Sequence, residues 1–357
     1  MSRSRLLANV AATAGAALAS GALAGSAYAS DGQGTKLPSH VFAPYFQAYN
    51  PDSPADAAKA SGAKYLTLAF LQTATTGSCD ILWNGDPTTP VAQSHYGADI
   101  AKIRARGGDV VPSFGGFSAD DTATEIADSC ADVHKIALAY EKVVTTYDVT
   151  RLDMDVEDHS LDNLAGIDRR NKAIAELQHW AEQHNRTVQV VYTVPTASTG
   201  IEDNVKHILQ NAVENSARIR IVNIMTFDYY DDQAHEMATD TKAAARDLVR
   251  FLRTLYPTLS GPQVWGMVGV TEMLGYDDYG SGGETGPSEI FTLGDARNVT
   301  QWATVHKIGE LSFWAVGRDK ATDPANGCLL GVPGGDSCSS IPQAPWQFDH
   351  IMSSFGR

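Results

Sequence analysis

Eight short runs of β-branched and aromatic residues alternate with helix-patterned stretches along this chain, and few folds accommodate that alternation. The runs are Val41–Tyr49, Tyr65–Thr73, Asp109–Phe114, Thr150–Glu157, Val188–Val194, Ile219–Phe227, Gln263–Val270 and Glu310–Val316, each bounded by Gly, Pro, Asp or Asn. Between them, residues 122–147 place Ile136, Tyr140, Val143 and Tyr147 on one helical face. Residues 163–184 do the same with Ile167, Ile174, Leu177 and Ala181, so that Arg169, Arg170, Lys172 and Glu182 face outward. Further helical patterns cover 202–217, 238–255 and 293–307. Strand–helix alternation implies crossover connections and therefore parallel strands. Eight such units in 357 residues predict an α/β fold, a single (β/α)8 TIM barrel over residues 30–357. The alternative is an open doubly wound sheet, but no GxGxxG follows the first run.

Residues 1–29 stand apart from this pattern. Arg3 and Arg5 precede an Ala/Leu/Val/Gly run that ends in Ala27-Tyr28-Ala29, the layout of a secretory signal peptide. As a membrane anchor the run is short and rich in Gly and Ala, so a secreted, extracellular protein is expected, with no membrane partner. Four cysteines suit an oxidising compartment. Cys328 and Cys338 bracket a Gly/Pro-rich loop that a local bridge would pin, and Cys79 and Cys130 could form a second pair; free buried thiols are the alternative. No CxxC occurs, which argues against a cysteine zinc site. With 27 Lys and Arg against 42 Asp and Glu, the net charge of −15 disfavours nucleic acid and anionic lipid as partners. A monomer without cofactor or metal is expected.

In a barrel of this kind the chemistry sits where strands end and loops begin. The fourth run, Thr150-Arg151-Leu152-Asp153-Met154-Asp155-Val156-Glu157, is unusual there. Side chains alternate along a strand, so Asp153, Asp155 and Glu157 share one face while Leu152, Met154 and Val156 share the other. Carboxylates lined up on an inward face raise one another's proton affinity, and a retained proton is what a general acid needs. The apolar partners argue against a solvated acidic face. A Ca²⁺ or Mg²⁺ site is the rival, yet alternate residues lie about 6.6 Å apart along a strand and do not readily wrap one ion. His159 reads as a loop residue rather than a ligand.

These residues resemble those of a known family. Asp153-x-Asp155-x-Glu157 is similar to the DxxDxDxE strand of glycoside hydrolase family 18, the chitinases and endo-β-N-acetylglucosaminidases. Ser113-Phe114-Gly115-Gly116 resembles its SxGG motif, Met225-Thr226-Phe227-Asp228 its MxYD motif, and Trp314 its barrel-floor tryptophan. The four elements occur in the family's order, on runs three, four, six and eight. The resemblance implies that Glu157 donates the proton to the glycosidic oxygen, Asp155 orients the substrate's acetamido group, and Asp153 supports Asp155. It also implies that Trp314 floors the sugar at the cleavage site, with Met225 beside it and Asp228 among the substrate-binding residues.

Two departures bear on this expectation. Thr150 and Arg151 stand where the signature has Asp and Gly, so its innermost carboxylate is missing. Phe227 replaces the motif tyrosine, whose hydroxyl holds the acetamido oxygen. Tyr229 has the same strand parity as Phe227 and is expected to supply that donor, with Tyr230 and Tyr192 in reserve. At other strand ends, Tyr45 and Gln47 follow run one, and Met273 and Asp277 follow run seven. Asp277 is expected to bind sugar, and Tyr45 either contacts sugar or packs the barrel mouth. Trp83 and Phe117 line outer subsites or cap the barrel. Tyr276, Tyr279 and the Gly280–Gly283 segment are expected to form a loop over the cleft.

The expected activity is a secreted chitinase that hydrolyses β-1,4 links between N-acetylglucosamine units with retention. Asp155 and Glu157 leave from one strand end and so lie on one side of a sugar, which provides no opposing nucleophile; the resemblance implies that the substrate's own acetamido oxygen serves instead. The expected partners are chitin or N-acetylglucosamine oligosaccharides. An endo-β-N-acetylglucosaminidase acting on N-glycan cores is the catalytic alternative, and a non-catalytic chitin-binding lectin is the alternative outside catalysis.

Overall fold

In the computed structural model, described here over residues 37–279, 285–333, 335 and 337–356, eight strands form one parallel sheet, each followed by a helix on its outer side. The first 36 residues, which include the expected signal peptide, lie outside the described residues, as does the Gly280–Gly283 segment. The strands are β1 (Val41–Phe42 and Tyr45–Gln47), β2 (Tyr65–Thr73), β3 (Asp109–Gly115), β4 (Arg151–Asp155), β5 (Gln189–Pro195), β6 (Ile219–Met225), β7 (Val268–Met273) and β8 (Glu310–Trp314). The principal helices are α1 (Pro54–Ser61), α2 (Gly97–Ala105), α3 (Val133–Tyr147), α4 (Leu164–Gln183), α5 (Asp203–Glu214), α6 (Met237–Leu255), α7 (Leu293–His306) and α8 (Gln347–Met352).

The ring closes through β1. Its first half pairs with β8 (Val41 opposite Glu310) and its second half with β2 (Tyr45 opposite Thr67). Pro44 falls at the break; it has no N–H to give, but its carbonyl still accepts from Thr67, so the ladder passes from one neighbour to the other. The result is the predicted (β/α)8 barrel. Leu152 and Met154 of β4 join the buried layer between strands and helices with Ile136, Tyr140, Ile174 and Leu177, while Arg151, Asp153 and Asp155 point inward and are also buried.

Three segments differ from the sequence expectation. Residues 263–265 are helical, because Ser260 and Gln263 form a capping box and Pro262 sits in the first turn of Gly261–Trp265; β7 begins only at Val268. The 122–147 stretch breaks into a turn of helix at Ile126–Ser129 and α3, whose start is set by Asp132 accepting from His134 and Lys135 N–H. Arg170 does not face solvent. It is fully buried and donates to Glu125 at 2.8 Å, so an acid on the preceding loop pulls it inward.

Both disulfides form, Cys79–Cys130 and Cys328–Cys338, leaving no free cysteine. Among the described residues no helix is long and apolar enough to cross a membrane.

Candidate active site

A cleft with a volume of about 790 Å³ opens at the carboxyl ends of the strands. Tyr45, Asp155, Glu157, Met225 and Trp314 line it. Asp153 lies one strand step below Asp155, and register places it between Ser113 of β3 and Val191 of β5. Its carboxylate accepts three hydroxyls: Ser113 at 2.6 Å and Tyr45 at 3.0 Å on Oδ2, and Thr193 at 2.7 Å on Oδ1. Asn223 of β6 donates in turn to Thr193 at 3.0 Å. Burial pushes Asp153 up to about 6, and these hydroxyls hold it down against a larger rise.

Asp155 is buried, one of its oxygens has no partner, and burial with the charges of Glu157, Asp153 and Asp120 lifts it well above the carboxylate range. Glu157 is half-buried at the cleft wall. Burial raises it to about 7, opposed by a hydrogen bond from the Phe117 backbone. Burial thus raises all three acids of the row, Asp153 least; Asp155 and Glu157 both line the cleft, and of the three only Glu157 has a partly exposed side chain.

Beneath them, where the signature has Asp and Gly, Thr150 supplies no carboxylate and Arg151 brings a cation. Arg151 projects into the barrel and bonds Glu310 Oε2 at 3.2 Å and Gln189 Oε1 at 2.8 Å; Arg151 and Glu310 are both buried. Its charge is spent on Glu310.

The glycines of Ser113-Phe114-Gly115-Gly116 are required by close approach. A Cβ on Gly115 would lie 2.0 Å from the Asp155 carbonyl oxygen, and its φ of +96° suits glycine; a Cβ on Gly116 would lie 2.6 Å from the Phe70 ring. Phe70 itself stacks on Trp314 at 5.7 Å with a 12° interplanar angle, and Tyr45 packs against both rings. These aromatics form an apolar floor beside the acids, the surface a pyranose face packs on.

Several expected binding residues are placed elsewhere. Tyr229 does not line the cleft. It packs in the core against His235, its hydroxyl has no partner, and the left-handed backbone at Asp228 and Tyr230 breaks the strand parity that would have aimed it inward. Tyr192 is buried with its hydroxyl on Asn171. Phe227 and Tyr230 line the cleft instead. Asp277 is also withdrawn: it is buried beside Asp228 and Glu289, where its Oδ2 accepts the Asp228 N–H at 3.4 Å and Glu289 accepts that of Tyr229 at 2.9 Å. Burial pushes Asp228 and Asp277 up to about 8, helped at Asp228 by the charge of Asp277 and at Asp277 by that of Glu289. The next residue, Asp278, reaches the cleft in place of Asp277. Trp83 is fully buried with its indole N–H on the Tyr147 hydroxyl, whereas Phe117 is exposed at the cleft. His159 stands in an exposed loop with Asp158 and Asp121. Phe70, Gln72, Asn84, Tyr49 and Asp278 are cleft residues without a sequence motif, and Asp120, buried behind Glu157, had none either.

Comparison with known proteins agrees with this geometry. The chain is 28% identical over 337 residues to a probable bifunctional chitinase/lysozyme of Escherichia coli (strain K12), covering 89% of this chain and 35% of that protein. It is 29% identical over 295 residues to endochitinase 11 of Metarhizium anisopliae, covering 79% and 53% respectively. It therefore spans between a third and just over half of the length of these relatives. Among solved structures, active domain 2 of a chitinase from Pyrococcus furiosus aligns with a TM-score of 0.73 at 26% identity, covering 89% of this chain and 95% of that one. A plant class V chitinase from Cycas revoluta shares the fold, with a TM-score of 0.55 at 11% identity over 77% of this chain and 95% of that one. Residues 41–257 match the family model described as Glycosyl hydrolases family 18, and the chain belongs to that family.

Proposed function

We propose that this protein is a chitinase that hydrolyses β-1,4 links between N-acetylglucosamine units and retains the anomeric configuration. The observation that carries the reading is the row Asp153–Asp155–Glu157, with Asp155 and Glu157 lining the cleft and burial raising Glu157 to about 7. In the proposed reaction, Glu157 gives its proton to the glycosidic oxygen as that bond breaks. The substrate's acetamido oxygen attacks the anomeric carbon and forms an oxazolinium ion, since Asp155 and Glu157 leave from one strand end and place no carboxylate on the opposite face of the sugar. Asp155 orients the acetamido group with its unpartnered oxygen. Glu157, now ionised, then takes a proton from water as the water opens the ring at the anomeric carbon, which restores the acid and yields the β-anomer. Trp314 and Phe70 carry the apolar face of the sugar.

The substrate class is supported by the structure of the Pyrococcus furiosus domain complexed with chito-oligosaccharides, 26% identical to this chain. An extracellular setting is supported by the pattern of residues 1–29 and by two disulfides. The deciding experiment incubates the protein with an N-acetylglucosamine hexamer and follows products by mass and by NMR. Shorter oligomers should appear, β-anomer first, and Glu157→Gln should lower turnover at least about 10³-fold with oligomer binding retained. Binding without any product would make the protein a lectin, and an initial α-anomer would exclude acetamido participation.

A further inference from the structure

Glu157 lies two residues beyond the end of β4, where the sheet no longer holds the chain. Val156 still donates to the Thr193 carbonyl of β5 at 2.9 Å. The Glu157 N–H points the other way, toward β3, and there β3 has already ended at Gly115. Its acceptor is a side chain: Asp120 Oδ2 at 2.5 Å.

Asp120 sits on the short helix Phe117–Asp121, which the glycine pair folds back over the β4 end; Gly116 N–H bonds the Asp155 carbonyl at 3.1 Å. The same helix meets Glu157 twice. Its first residue, Phe117, donates its backbone N–H to the Glu157 carboxylate, and Asp120 accepts from the Glu157 backbone. Phe117 and Ser118 are exposed on its cleft side, while Asp120 is fully buried. Its Oδ1 has no partner. An acid kept dry at such cost, with Glu125, Glu157 and Asp155 as anionic neighbours and Arg170 as the facing cation, is an expensive way to fill space.

We propose that Asp120 is a positioning residue that anchors the main chain of Glu157, so that the acid reaches the scissile oxygen in one geometry. The inference rests on the chitinase reading above and adds a residue outside all four motifs. A displacement of about 1 Å at a reacting group costs about 10²-fold, which sets the scale of the expected effect.

The test compares Asp120→Asn, which keeps an acceptor oxygen, with Asp120→Leu, which keeps the branched shape and loses the acceptor. On N-acetylglucosamine oligomers Asp120→Leu should lower kcat at least about 30-fold with KM within about threefold, and Asp120→Asn should restore kcat to within about fivefold of the parent. Hydrogen exchange at the peptide containing Glu157 should quicken in Asp120→Leu and stay slow in Asp120→Asn. Equal kcat in the two variants, a loss confined to KM, or an Asn variant as slow as the Leu variant would overturn the assignment. Should Asp120→Leu not fold, the Asn variant decides by itself: turnover below a thirtieth of the parent's refutes anchoring through the acceptor. If the parent protein cleaves no oligomer, the chitinase reading has failed, and exchange at Glu157 still reports whether Asp120 holds that backbone.

Discussion

Ser113→Ala probes the hydroxyl ring around Asp153 most directly. Ser113 makes the shortest of the three bonds to that carboxylate, 2.6 Å, and is itself fully buried, so no water replaces it readily. A hydrogen bond to a charged group contributes about 1.5–3 kcal/mol. If about half of that distinguishes the ionised from the protonated acid, Asp153 rises by about one pKa unit, since one unit corresponds to about 1.36 kcal/mol. It would move from about 6 toward about 7, where Glu157 also titrates. In the proposed reaction Asp153 is ionised, leaving the strand's proton on Asp155, and Glu157 is protonated. The acid limb of the profile therefore moves up while the alkaline limb stays. With both limbs near 7, the optimum shifts up by about half a unit and its height falls about twofold, whereas the rate at pH 5 falls about tenfold. The assay is kcat/KM on an N-acetylglucosamine oligomer from pH 4 to 9. A loss of equal size at every pH, or an acid limb that stays or moves down, would refute the role given to the hydroxyl ring.

Two further outcomes are expected. Tyr230→Phe should slow oligomer turnover about tenfold and Tyr229→Phe less than about twofold, because only the former lines the cleft; a reversed order, read from kcat, would return the role to Tyr229. Stability should also fall as pH rises from 5 to 8. Burial raises Asp228, Asp277 and Glu272 to about 8 and Glu289 and Glu310 to about 7, against about 4 in the unfolded chain, so the folded state binds more protons throughout that window. A Tm by calorimetry lower at pH 8 than at pH 5 by about 5 °C or more is expected, and a flat or rising Tm would show that these acids are ionised in the fold.

The acid row was legible because a strand alternates with period two: Asp153, Asp155 and Glu157 could be assigned to one face from spacing alone, and register agrees with that placement for Asp153 and Asp155. Tyr229 shows where that rule ends. It was placed by the parity of Phe227, but β6 stops at Met225, and past a strand's end the direction of a side chain follows the loop's dihedral angles. Phe70 gave no signal in sequence, for the opposite reason. It lies inside β2, yet the pairing with β3 shifts between Ala69 and Leu71, and the bulge turns a residue of outward parity onto Trp314. Arg170 looked like a solvent-facing charge on α4 until a buried glutamate met it from another segment.

Local order along the chain therefore determined the barrel, its helices and the acid row, since period, capping and glycine content act between residues a few positions apart. Which hydroxyls surround Asp153, which tyrosine enters the cleft, and why Asp120 is buried were decided only when distant strands closed the ring. Those contacts join Tyr45, Ser113, Asp153 and Thr193 across separations of 40 to 148 residues, and partners so far apart leave no periodic trace in sequence.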